Sequence, residues 1–148
     1  MIVPTMTETF RILEVSYSSS EKFIAKLRKL AISNGRKLAL THEAPMTEWE
    51  SIKNDGQIDS GGSIFCTVGH LDKKSFVTGP GVIIQIELPE QMIKQGIIVP
   101  DMVYDTPDDL LKKYPDVTGA EVSVGIDSIP SSMWKSVIDN TTGENIEF

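Results

Sequence analysis

The chain has 148 residues, 40% of them hydrophobic and 24% charged, and a formal net charge of −7; that length and balance suit one soluble globular core. No apolar run approaches the roughly 18 residues of a membrane span, and the start, Met1-Ile2-Val3-Pro4, lacks a charged segment leading into an apolar one. A membrane protein and a classically secreted one are therefore not expected; the chain reads as cytoplasmic, or as delivered without a classical signal peptide.

Charge is unevenly spread. Residues 1–37 carry seven Lys/Arg against three acids, for +4, and residues 38–148 carry seven against eighteen, for −11. An acidic body repels a phosphate backbone, so nucleic acid is disfavoured as a partner. Cys66 is the sole cysteine and His42 and His70 are the sole histidines, which leaves neither an internal disulfide nor an ordinary zinc site to expect.

In chain order, residues 7–17 alternate apolar and polar (Phe10, Ile12, Leu13, Val15, Tyr17) and predict a first strand. Ser18, Ser19 and Ser20 offer helix-capping hydroxyls. Phe23, Ile24, Leu27, Leu30 and Ala31 then recur at helical spacing until Asn34-Gly35 stops the run. Residues 36–44 predict a strand bearing His42, and Thr47-Glu48-Trp49-Glu50 opens a short helix ended by Asp55-Gly56. Residues 57–62 read as loop, 63–68 as a brief strand, 69–74 as a polar connection and 75–78 as a further short strand, broken at Gly79-Pro80-Gly81.

Residues 82–88 are the most β-prone run and predict the central strand. Pro89 starts a short helix over 91–94. Residues 96–119 read as an acidic loop with one helical turn at 107–113, and a strand opens at Glu121. Met133, Trp134, Val137 and Ile138 predict a last helix over 131–138, followed by a tail over 139–148. No repeat, low-complexity tract or linker interrupts the chain, so residues 1–148 form one domain.

Several chemistries can be set aside. There is no phosphate-binding glycine loop, no strand-to-helix setting for a dinucleotide fingerprint and no Gly-x-Ser-x-Gly elbow. Cys66 with His70 would make a nucleophile pair only if the thiol left its apolar strand. Asp101, Asp105, Asp108 and Asp109 lack the alternating acids and central glycine of a calcium loop.

What remains is a histidine on an early strand (Leu40-Thr41-His42-Glu43), aromatics further on (Phe65 and Phe76), and a lone acid opening a valine-rich strand before an Ile-Pro (Glu121-Val122-Ser123-Val124, Ile129-Pro130). In this order, over about residues 37–138, the chain resembles the ADP-ribosyltransferase family, in particular its histidine-aromatic-glutamate branch. The short helix over 49–56 ending in glycine is similar too. The branch has two tyrosines at the spacing of Phe65 and Phe76, so both positions here lack the hydroxyl.

The resemblance implies an α+β domain with a central split, mostly antiparallel β-sheet and peripheral helices. It also implies NAD as the substrate that supplies ADP-ribose, with release of nicotinamide. Breaking the bond to nicotinamide passes through a cationic ribose, which a carboxylate stabilises, and Glu121 would be that catalytic group. His42 would bind the adenosine-side ribose, Phe65 and Phe76 would stack on the nicotinamide, and Thr41 or Thr67 would add a polar contact. Arginine-specific members place a second acid two residues before the catalytic glutamate. That position is Gly119 here, so the acceptor expected is another protein group or a small molecule, in the setting of an enzyme, toxin or effector. NAD hydrolysis, RNA 2'-phosphate transfer and a non-catalytic binding module are the readings that stay open within this fold.

Overall fold

In the computed structural model the described residues are 21–59, 62–70, 79–101 and 106–148. The strands expected at 7–17 and 75–78, and Phe76 with the second, lie outside them.

The first described helix, α1 (Glu21–Ser33), buries Phe23, Leu27 and Ala31, the expected stripe. Gly35 and Arg36 both take left-handed φ, 67° each, to turn the chain into β1 (Lys37–Pro45). Arg36 is a costly residue in that conformation. It is held there by its N–H to the Ala31 carbonyl at 2.8 Å and by its guanidinium to Glu90. Next come α2 (Met46–Asp55), capped by Gly56 at φ 68°, and β2 (Gln57–Asp59). The strands β3 (Ile64–Val68) and β4 (Gly81–Pro89) follow, then α3 (Gln91–Lys94) and β5 (Ile98–Pro100). The helix α4 (Pro107–Lys113) begins with a capping box, in which Asp109 N–H donates to Thr106 Oγ1 at 3.2 Å. The chain closes with β6 (Glu121–Val124), β7 (Ser128–Pro130), a 3₁₀ turn (Ser131–Met133), β8 (Trp134–Asp139) and β9 (Asn145–Ile146).

Seven strands form one sheet in the order β5-β6-β3-β1-β4-β8-β9, and β2 pairs with β7 in a separate ladder. Every pairing among the described residues is antiparallel, which makes this a single small α+β domain with a few helices. The middle position belongs to β1, with the expected central strand β4 beside it.

Successive side chains on a strand point to opposite faces. One face carries Leu38, Leu40 and Ala44 of β1, Ile64, Cys66 and Val68 of β3, Val82, Ile84, Ile86 and Leu88 of β4, and Val122 and Val124 of β6. All join one apolar core with Phe23, Leu27 and Ala31.

Four expectations are corrected. The last helix over 131–138 is one 3₁₀ turn followed by β8, because the β4–β8 ladder slips between Gln85 and Ile86. Ile86 faces Trp134 and Ile84 faces Val137, so a β-bulge at Lys135 spaces two core residues three apart and imitates a helical step. The expected tail contains β9, and Phe148 lies against Trp134 with ring centroids 5.3 Å apart. The expected loops at 57–62 and 96–119 hold β2 and β5, strands of three residues each whose partners, β7 and β6, are distant in sequence.

Leu40 is wholly buried at the β1–β3–β4 crossing. Leu40→Ala is expected to cost about 2–5 kcal/mol of stability, read as a lowered urea midpoint with an unchanged slope.

Candidate functional site

The face opposite the core carries a row of polar side chains between apolar ones such as Ile83 and Phe65. Ser136 of β8 pairs with Gln85 of β4, Gln85 with Thr41 of β1, Thr41 with Thr67 of β3, and Thr67 with Glu121 of β6. Five neighbouring strands thus place five polar side chains in one row across the sheet. Thr41, Thr67 and Gln85 are buried, Ser136 is half-buried and Glu121 is exposed. Ser136 Oγ donates to Gln85 Oε1, and Thr41 Oγ1 donates to the Gly69 carbonyl at 2.6 Å. Interior hydroxyls and amides stay in a fold when they are bonded, as those of Thr41, Gln85 and Ser136 are. The Asp101 N–H donates to the Glu121 carbonyl at 3.0 Å, so a second acid stands at the next strand position beyond Glu121.

Phe65 lies two residues along β3 from Thr67, hence on the same face, and pairs with Ser123. It is 53% exposed. Its diagonal relation to Glu121 corresponds to about 7–8 Å between backbones. Of the residues expected to act together, Thr41, Thr67, Phe65 and Glu121 share this face.

His42 does not share it. It sits between Thr41 and Glu43, pairs with Ile84, and belongs by alternation to the opposite face. Its Nδ1 lies 2.9 Å from the Phe65 carbonyl. A carbonyl only accepts, so Nδ1 carries the proton and His42 grips the backbone of the strand that presents Phe65. His42 is therefore placed as a positioning residue behind Phe65.

The loop before Glu121 is held tightly. Val117 has φ 63°, uncommon for a β-branched residue, and Gly119 has φ 94°. A Cβ at Gly119 would meet the Tyr114 ring at 3.0 and 3.1 Å. A second acid at this position would crowd the Tyr114 ring on a backbone that L side chains rarely adopt.

Two residues the other way along β1 and β3, the same face carries Ala39 and Gly69, which pair beside Gly119: the Gly69 N–H donates to the Ala39 carbonyl, and the Gly119 N–H to that of Val68. These small residues form part of the wall of a cavity of about 290 Å³ that Asn34, His70, Thr118 and Lys135 also line. The polar row thus runs between a depression and an exposed aromatic ring. His70 Nε2 lies 3.3 Å from the Ile86 carbonyl at the bulge. In the sequence His70 stands out only through its spacing from Cys66; what brings it to this face is the end of β3.

Cys66 is in the apolar core, where burial pushes its thiol pKa up to about 12; that holds it protonated and away from nucleophilic work. Among the described residues no group of three or more His, Cys, Asp or Glu is arranged to hold a metal, and no helix is long and apolar enough to cross a membrane. Comparison with protein-family models, curated proteins and solved structures finds no match.

Burial lowers the His42 pKa below its ordinary 6.5, against smaller upward effects of the Phe65 hydrogen bond, Glu43 and Glu48. The unfolded chain then takes up the proton first on acidification. The His42 contribution to stability is complete above about pH 6.5 and declines as pH falls below it. His42→Asn keeps a donor and removes the titration. Melting temperatures recorded between about pH 5 and 8 should fall on the acid side for the wild type relative to this variant, and parallel curves would show that His42 contributes no such linkage.

Proposed function

We propose that the polar face binds NAD and that Glu121 promotes transfer of its ADP-ribose to an acceptor, with release of nicotinamide. The observation that supports this most is the placement of Glu121 at the exposed end of the buried polar row, one diagonal step from the open ring of Phe65. A cationic ribose above the row would have the Glu121 carboxylate beside it. The departing nicotinamide would lie on Phe65, and the Thr67 hydroxyl would stand between them. Stacking needs an aromatic face and no hydroxyl, so phenylalanine serves.

In this reading the chain supplies three things. Phe65 orients the ring, Glu121 stabilises charge that appears only as the glycosidic bond opens, and the strained loop over 114–120 fixes Glu121 before the substrate arrives. Asp101 keeps the surroundings of Glu121 acidic, which favours a protein group or small molecule over a polyanion as acceptor.

Release of nicotinamide from NAD by the pure protein is the direct test. Glu121→Gln preserves size and removes the charge; turnover should fall by about a hundredfold or more with NAD binding retained. Phe65→Ala should weaken NAD binding by about 1–3 kcal/mol with little change in melting temperature, since the ring is exposed. Binding of NAD without turnover in the wild type would convert the reading to a binding module. No binding at all would dismiss it.

A further inference from the structure

The cavity beside the polar row has a chemistry of its own. Its floor is low because Ala39 and Gly69 contribute a methyl group and a hydrogen where neighbouring rows carry hydroxyls. A Cβ at Gly69 would meet Thr118 Cγ2 at 3.1 Å, on a backbone with φ 98°. Asn34 Nδ2 already donates to the Lys37 carbonyl at 3.1 Å and to Glu87 Oε2 at 3.2 Å, which leaves Oδ1 as its accepting atom. His70 Nε2 is directed at the Ile86 carbonyl, so in the neutral ring Nδ1 is the acceptor. Thr118 adds a hydroxyl.

Asn34 follows the C-terminal end of α1, where the helix carbonyls concentrate partial negative charge. That side of the cavity repels an anion and accepts from hydroxyl groups. Lys135 lines the cavity from the bulge of β8, a different element, and is the cation among the described residues of its wall. Acceptors on one side and a cation contributed by another element suit a ring bearing several hydroxyls and one phosphate.

We propose that this cavity is a subsite for a pentose phosphate, with Asn34 and His70 accepting from the sugar hydroxyls and Lys135 binding the phosphate. It rests on the NAD reading only for the identity of the complete ligand, in which the cavity would take one ribose-phosphate unit while Phe65 takes the far ring. The imidazole that contacts ligand is that of His70, and His42 acts from behind the sheet.

The test is a titration of the ¹⁵N-labelled protein with ribose 5-phosphate, ribose and inorganic phosphate as separate probes, alongside NAD. Ribose 5-phosphate should move the amide signals of Gly69, His70, Thr118 and Lys135. Lys135→Met, at an exposed position, should weaken ribose 5-phosphate by about tenfold, the scale of one charge-assisted hydrogen bond, and leave ribose unchanged. His70→Ala should weaken both. Ribose 5-phosphate leaving those signals unmoved, or binding Lys135→Met as it does the wild type, overturns the proposal. If NAD binds and both variants take it as the wild type does, the cavity assignment fails and the NAD reading stands. If ribose 5-phosphate binds in the cavity while NAD is neither bound nor consumed, the subsite stands and the NAD reading fails.

Discussion

The nine-residue ladder between β1 and β4, from Lys37↔Pro89 to Pro45↔Gly81, is the constraint on which the other features depend. Side chains on a strand alternate with a period of two, so a slip of one residue would exchange the two faces of the sheet. Leu38 and Leu40 would turn out, and Thr41 would turn in among Ile84 and Ile86. The apolar content of β4, buried at Val82 through Ile86, makes such a slip costly. The same register that secures the core therefore secures the polar row on its far side.

The helical layer is tied to the sheet by electrostatics as well as by packing. Glu90, at the end of β4, is almost wholly covered and receives Arg36 at 2.8 Å, with Arg28 at 3.6 Å and Lys94 at 3.8 Å. The Arg36 hydrogen bond is the main reason its carboxyl sits below the usual carboxylate range, and Lys94, Arg36 and Arg28 add to it through their charge. The three cations come from α1, from the turn into β1 and from α3. One carboxylate thereby clamps the left-handed Arg36, the helix before it and the helix after β4. Its contribution is complete above the ordinary carboxylate range and is lost as acid protonates it.

On the polar face, backbone strain is concentrated in the loop before Glu121. Val117 and Gly119 hold conformations with φ of 63° and 94°, and Tyr114 packs where a side chain at 119 would go. Strain of this kind persists when the surroundings over-determine it. Here they do, since Val117 and Ala120 are fully buried and the Gly119 N–H bonds the Val68 carbonyl. The carboxylate of Glu121 is thus presented from a rigid base, next to an open ring on one side and a small cavity beside the row.

Much of this was legible in the residues themselves. The stripe on α1, the strands at β1, β3, β4 and β6, the glycine that ends α2 and the helical turn at α4 follow from periodicity and local capping, which act over a few residues. Cys66 read as a core residue for the same reason. What local signals could not supply was anything set by pairing between distant segments. The bulge at Lys135 made a strand look helical, because two core side chains separated by an extra residue have the spacing of a helix turn. The strands β2, β5, β7 and β9 have two or three residues each and owe their existence to a partner elsewhere in the chain. The site shows the same division. Glu121, Phe65, Thr41 and Thr67 were candidates by residue type and order, but their common face, the removal of His42 to the other side and the arrival of His70 at the cavity were decided by register, which joins residues up to 80 positions apart, such as Thr41 and Glu121.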